Sequence, residues 1–499
     1  MRTIVWFRGK DLRLSDHAPL RDALAHGEVI PLFVLDPYFF APARAREWPH
    51  RIQFLLDSLR VLEANIAQRQ SRLAVVAGKS VDVVPRLARE WKADRVVAQR
   101  WVEPFARERD RRIGEALGDR FKLFEGETLV PPGSLRTGAG TPYSVFTPFA
   151  RALRKTATIS DPLPAPRALP PVPKDIRARV TPIPSCEDLG IARNDSILPG
   201  GEQAAHARLR RFLRERAENY PEARDRMDLP GTSRLSADIK FGTLSIRSVW
   251  TAVESALDRG IAAQTFLNEL VWREFAYSTL WDRPDVLKEP FRPDFNGFPW
   301  QYDERAWQAW VFGKTGYPVV DASARQLLGE GFVHNRARMI SASFLTKHLL
   351  IDYRHGEAHY MKFLTDGDWA NNNLGWQWSA GCGCDAQPYF RVFNPVTQGE
   401  KFDPEGDYVR RWLPELARMP TRFVHRPWEA PTATLRAAGV TLGESYPRPI
   451  VDHSFARGRF LALAERHLKR GTRSARTAAS ESSQDGPLAS GAPRRASGA

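Results

Sequence analysis

The sequence predicts an α/β N-terminal domain built on a Rossmann-like parallel sheet, a long linker and a large all-α C-terminal domain. Three observations predict it: residues 1–130 alternate short β-branched apolar runs with helical patterns, residues 131–200 are rich in Pro and basic side chains, and from 201 to about 465 the apolar periodicity is helical. The runs at 3–7, 29–35, 73–77 and 96–98 read as buried strands, and 122–124 starts another. Between them Ile52, Leu55, Leu56, Leu59 and Leu62 recur at helical spacing, so helices wrap the sheet. No G-x-G-x-x-G follows the first strand, which argues against an ordinary dinucleotide site there. The 131–200 stretch reads as an inter-domain linker running over the surface, with 141–152 an ordered exception. The helical domain takes 201–470, and 471–499, nearly without large apolar residues, reads as a disordered tail.

With 42% hydrophobic residues over 499 positions the chain is an ordinary globular protein able to bury sizeable cores. A net charge of +15 favours a polyanionic partner, because Lys and Arg facing phosphates release counterions; a basic surface that serves solubility is the plainer reading. Eleven of the fifteen Trp lie beyond residue 249, so the aromatic chemistry belongs to the C-terminal half. Three Cys make neither a disulfide framework nor a four-thiolate cluster, which points to a reducing cytoplasm, and no metal site is expected. No signal peptide or long uncharged apolar run is present, so no membrane association is expected.

Residues 366–402 carry the densest chemistry: three Trp, three consecutive Asn and three Asp. If 369–380 is one helix, Asn372 and Trp376 share a face at i and i+4, while Trp378 points to roughly the opposite side. One aromatic plane then faces a bound aromatic cofactor and the other a cleft, with Asn372 a neutral hydrogen-bonding amide beside the cofactor. Three Trp filling a core is the plainer reading, but a core helix has no use for so many polar groups. Thr232, Ser233, Arg234, Leu235 and Ser236 offer hydroxyls and backbone amides at a helix start, where anions bind well, although the bare motif is also a simple N-cap. Glu269, Trp272 and Arg273 share one helical stripe that suits a flat polar ring; the alternative is a surface ion pair between Glu269 and Arg273. Asn335 and Met339 stand at i and i+4 with Arg336 and Arg338 beside them, which equally describes a solvated basic face.

The run D-G-D-x-x-x-N-N-x-G-W-Q-W from 366, followed by D-A-x-P-Y-F-R-x-F-N-P-x-x-Q-G-E-K-F-D from 385, resembles the flavin-binding signature of the DNA photolyase and cryptochrome family. The resemblance covers about residues 1–465 and is nearest to the bacterial photolyases for cyclobutane pyrimidine dimers. It implies FAD in the helical domain, with Tyr220 and the hydroxyls of 232–236 at its pyrophosphate, Arg338 paired to Asp366 bracing the isoalloxazine ring, and Glu269, Arg273, Asp368 and Asn372 also at the cofactor. Glu269, Trp272, Asn335, Met339 and Trp378 match dimer-contacting positions, and Asn372 matches the residue near flavin N5, where plant cryptochromes usually carry Asp. Arg224, Arg336, Arg391 and Lys401 match a basic cleft for phosphates. His334 stands alone where photolyases specific for (6-4) lesions carry a His pair.

Trp376 and Trp300 match the first and last members of the family's electron relay, but Tyr353 occupies the middle position; Trp369, seven residues before Trp376, is a candidate detour. The N-terminal domain is expected to carry an antenna chromophore. Its opening WFR and DLRLSDH match the family with an unusual Gly9-Lys10 spacing between them, and residues 102–107 look more like the deazaflavin or flavin type than the folate type. Deazaflavin, FMN and methenyltetrahydrofolate stay open. The implied activity is light-driven repair of UV-damaged DNA by a cytoplasmic monomer, in which photoexcited reduced FAD donates an electron to a flipped-out dimer. The alternatives are a photosensory cryptochrome that signals through a partner, whose marks (Asp at 372, a lost cleft Trp, a long extension) are missing, and a flavin oxidoreductase with a dark substrate.

Overall fold

The computed structural model of the chain describes residues 1–176 and 181–482, with side chains to Lys469. Its N-terminal part is a five-stranded parallel sheet in the order β3-β2-β1-β4-β5, with β1 Arg2–Phe7, β2 Glu28–Leu35, β3 Ala74–Ala77, β4 Arg95–Gln99 and β5 Phe121–Phe124. All five lie where the β-branched runs placed them. β1 is central, running beside β2 from Arg2↔Glu28 to Phe7↔Phe33 and beside β4 from Thr3↔Arg95. A strand covered on both faces has no use for polar alternation. Accordingly Val5 and Phe7 enter one apolar cluster, and Ile4 and Trp6 enter the other. Helices α1 Ala18–Leu24, α2 Pro49–Ala67, α3 Ser80–Glu90 and α4 Pro104–Leu117 cover the two faces. Strand order reverses between β1 and β4, and at such a switch point the loops beyond the strand ends part into a crevice.

The described residues of 131–200 are irregular apart from α5 Phe146–Thr156 and one short 3₁₀ turn. They do more than run over the surface. Leu169, Leu189, Ile191 and Ile197 are buried in the cluster beneath α2, and Phe149 and Leu153 of α5 are buried against Phe212, Phe266 and Phe275 of the helical part. The segment therefore helps to build both cores. Residues 177–180 of it lie outside the described residues.

The helical part places α6 Glu202–Glu215, α7 Ser236–Phe241, α8 Ile246–Asp258, α9 Gln264–Asp282, α10 Glu304–Val311 and α11 Pro318–Glu330 ahead of α12 Asn335–Ser343, which runs into a π turn at Phe344–His348. Then follow α13 Tyr353–Phe363, α14 Trp369–Ala380, α15 Pro395–Phe402 and the long α16 His453–Ser482. α14 coincides with the helix expected at 369–380. It packs against α9, α12 and α13, so three layers fix its direction. The tail departs from expectation: the backbone stays helical through Ser482, and only 483–499 of the stretch expected to be disordered lie outside the described residues. No helix among the described residues is long and apolar enough to cross a membrane.

Candidate functional site

α14 starts on a buried carboxylate. Asp368 is its N-cap, accepting from the backbone N–H of Asn371 at 2.9 Å and from the Tyr277 hydroxyl of α9 at 2.7 Å. Lys10, in the turn after β1, brings its Nζ to 3.7 Å from Asp368 while it bonds Glu103 at 2.8 Å and Glu127 at 2.5 Å. Burial alone would raise the Asp368 carboxyl, but Lys10, the Asn371 amide and Tyr277 hold it below its ordinary value. The odd Gly9-Lys10 spacing thus has a structural consequence: the turn delivers a buried ammonium to the start of α14.

From this start α14 presents Asn372, Trp376 and Trp378 to a cavity of about 540 Å³ in the helical part. Asn372 donates from Nδ2 to the Glu357 carbonyl oxygen of α13 at 3.1 Å, which fixes its amide. Trp376 is buried and Trp378 half-buried. Both indoles line this one cavity, so the expectation that they look into separate spaces holds only in part: Trp378 and Met339 also line an outer cleft of about 720 Å³ that opens beside it.

The same cavity gathers nearly every residue singled out for a cofactor. Tyr220, Thr232, Ser233, Arg234, Leu235 and Ser236 line it, on a turn where Arg234 takes φ 59° just ahead of α7. So do Asp366 and Arg338, paired at 2.9 Å. Glu269, Trp272, Arg273, Asn335 and Asp368 complete the wall. Three hydroxyls on one turn, a neutral amide, a carboxylate fixed by a guanidinium and flanking indoles form a donor and acceptor set that fits a flavin dinucleotide.

Several expected partnerships differ. The surface ion pair between Glu269 and Arg273 does not form: Arg273 donates to Glu274 at 2.9 Å and to the Glu127 carbonyl at 2.8 Å. Glu269 instead pairs with Arg224 at 2.6 Å. Arg224 consequently belongs to the inner cavity and not to a phosphate path in the outer cleft. Burial pushes the Glu269 carboxyl above its ordinary value, and Arg224 opposes the rise. Trp272 has one face covered by Phe146, stacked at 3.7 Å and 2°, which leaves its remaining surface to the cavity. Phe146 comes from the linker segment, within the 141–152 stretch, and was not itself among the candidate site residues.

The outer cleft is lined by Arg336, Arg391 and Lys401, with Arg336 also bonded to Asp225 at 2.8 Å. Asn335 is exposed, with its Nδ2 3.8 Å from the Met339 sulfur. His334 is buried as the N-cap of α12: its Nδ1 accepts from the Arg336 N–H at 3.2 Å, and burial lowers its pKa to about 4. A capping role is all it shows.

The aromatic line from the cavity wall departs most from expectation. Tyr353 is 2% exposed and shares a separate cavity of about 150 Å³ with Trp300, whose ring contact is with Phe298. Trp369 lines the crevice at the strand ends of the sheet, on the first turn of α14. The rings against Trp376 are Tyr360, edge-on at 5.1 Å, and Trp310, edge-on at 6.0 Å, and Trp310 stacks at 5.4 Å on the half-buried Trp307. Both lie on α10 three residues apart, a spacing visible in the sequence whose direction was not.

The sheet-end crevice, about 70 Å³, is lined by Trp101 and by Glu103 and Phe105 of the 102–107 region, together with Arg8, Arg51 and Arg109. Three of these residues carry buried donors without a hydrogen-bond partner among the described residues: Trp101 Nε1, Arg8 Nη2 and Arg51 Nε. They suit a ligand rich in acceptors and do not distinguish deazaflavin, FMN and methenyltetrahydrofolate.

Comparison with known proteins agrees with both halves. A family model described as "DNA photolyase" matches residues 3–168, and one described as "FAD binding domain of DNA photolyase" matches 266–466. A deoxyribodipyrimidine photo-lyase of Agrobacterium fabrum is 42% identical over 92% of this chain and 96% of its own length. The structure of a bacterial class III photolyase from Agrobacterium tumefaciens superposes with a TM-score of 0.87 at 39% identity, covering 94% of this chain and 98% of that one. An archaeal photolyase from Sulfolobus tokodaii, described with two FAD molecules and a novel light-harvesting cofactor, gives 0.80 at 29% identity over 93% and 100%.

Proposed function

The chain belongs to the DNA photolyase family, and from that premise we propose that it is a deoxyribodipyrimidine photo-lyase that opens cyclobutane pyrimidine dimers in UV-damaged DNA under light. When bound, reduced FAD would supply, on excitation by light, the electron needed to split the cyclobutane ring, with no net redox change. A second chromophore serves as antenna in the sheet-end crevice. Residues 1–130 are then the antenna part and 201–470 the catalytic part, acting as a cytoplasmic monomer.

The observation that carries this reading is two adjacent spaces with a common wall. A cleft lined by Arg336, Arg391 and Lys401 shares Met339 and Trp378 with a cavity lined by the cofactor set. Phosphate contacts position a duplex, whereas a pocket selects the base that has left the stack. A dimer stacks poorly in the helix, so less energy is needed to flip it out. In this reading Trp272 and Trp378 sandwich its flat faces and Glu269 accepts from a pyrimidine imide N–H, with Arg224 opposing protonation of that carboxyl. Asn372, a neutral amide tied to Glu357, holds no acidic proton to give to the cofactor. A cryptochrome of purely signalling role would be expected to lack the second cleft indole.

The direct test is illumination of the FAD-loaded, reduced protein with a dimer-containing oligonucleotide, scored by loss of the dimer. Repair in light and none in darkness is expected. No repair under either condition would contradict the reading. Trp378→Ala is expected to weaken binding of dimer-containing DNA by about 1–3 kcal/mol, the worth of one aromatic stack on a base, and to leave undamaged DNA nearly unaffected. Equal losses on both, measured by fluorescence anisotropy, would remove Trp378 from the lesion contacts. The indole line gives a third expectation. Trp310→Phe, which keeps the ring and loses the oxidisable indole, slows light-driven reduction of the resting protein by at least an order of magnitude. Trp369→Phe leaves it unchanged, and the reverse outcome in flash photolysis would restore the detour.

A further inference from the structure

The π turn that ends α12 buries a lysine with no acidic partner. Lys347 is 0% exposed, and among the described residues no carboxylate lies within ion-pair distance of it. Burial pushes its ammonium down to about 7. Its Nζ donates at 2.8 Å to one acceptor, the backbone carbonyl of Arg391. An apolar side chain of the same length would fill this space without the desolvation penalty of a buried ammonium. The penalty therefore marks what the acceptor belongs to.

Arg391 lies in the stretch 381–394 between α14 and α15, which has neither helix nor strand and is closed locally by the Arg391 N–H to the Pro388 carbonyl at 3.0 Å. Its side chain lines the outer cleft, as does that of Arg336. Arg336 is carried by α12, the helix that the π turn continues. A π turn winds one residue more than an α turn and so redirects the side chains that follow it, and such turns recur at functional sites. Here it aims Lys347 at the backbone that carries a second basic residue of the cleft.

We propose that Lys347 is a positioning residue for nucleic-acid binding: its hydrogen bond pegs the 381–394 stretch to α12, so that Arg391 and Arg336 meet the phosphates of one strand in fixed register. The proposal rests on the reading of the outer cleft as the DNA path. Lys347 itself touches no phosphate. Its loss acts only through Arg391.

The test uses the FAD-loaded protein with Lys347→Met, Arg391→Ala and the double variant, binding a dimer-containing oligonucleotide over a range of salt. Lys347→Met is expected to weaken binding severalfold and to lower the slope of log affinity against log salt by about one phosphate's worth, as Arg391→Ala does. The double variant is expected to bind no more weakly than Arg391→Ala alone, with FAD content and Tm of Lys347→Met at or above the parent's. A slope unchanged in Lys347→Met but lowered in Arg391→Ala overturns the peg and spares the cleft. A slope unchanged in Arg391→Ala overturns the cleft reading and the peg with it. Losses that multiply in the double variant also overturn it. Should Lys347→Met not fold, Lys347→Gln, whose amide is too short to reach, is expected to give the same slope.

Discussion

The carboxylate of Asp368 is the point on which the site depends. It closes the first turn of α14, takes the Tyr277 hydroxyl from α9 and stands beside the Lys10 ammonium delivered from the end of β1. Three segments far apart in the chain thereby agree on where α14 begins. Helix geometry then fixes where Asn372, Trp376 and Trp378 arrive on its successive turns. Breaking a buried charged network by removing one partner costs about 3–5 kcal/mol, because the remaining groups stay buried without compensation. Lys10 would remain between Glu103 and Glu127, and Tyr277 would lose its acceptor.

The chemistry of the site follows from this placement. A repair enzyme of this kind needs a cofactor cavity shielded from water and a second space, open to DNA, that touches it. Trp378 and Met339 meet that requirement as a common wall, since they line both spaces. The inner acid, Glu269, is neutralised by Arg224, while in the outer cleft Arg336 pairs with Asp225 and Arg391 and Lys401 add positive charge. Specificity and affinity are thus divided between separate groups of residues.

Much of the fold was legible because its signals are periodic. Buried parallel strands read as unbroken β-branched runs, and the 366–402 stretch carries more polar and aromatic residues than a core tolerates. The misses share a cause: sequence spacing gives an angle on a helix but not what packs against each turn. Trp369 and Trp376 do lie at nearly the same angle, yet seven residues separate them by about 10 Å along the axis, and the first turn of α14 abuts the α/β part. Arg224 and Glu269 are 45 residues apart, and no local pattern announces their pairing. Ile191 and Leu169 are buried from irregular backbone, where no period exists to mark them. The helix continues through Ser482 without large apolar residues because Ala, Arg and Glu favour helix on their own.

The central claim is that Asp368 sets the start of α14 and, through it, the cavity that receives FAD. The dissociation constant of FAD from the apoprotein, measured for the parent, Asp368→Ala and Asp368→Asn, tests it most directly. The account expects a loss of tenfold or more for Ala and a partial recovery for Asn, which caps a helix as well as Asp but does not balance Lys10. Parental affinity and parental Tm in Asp368→Ala would contradict it.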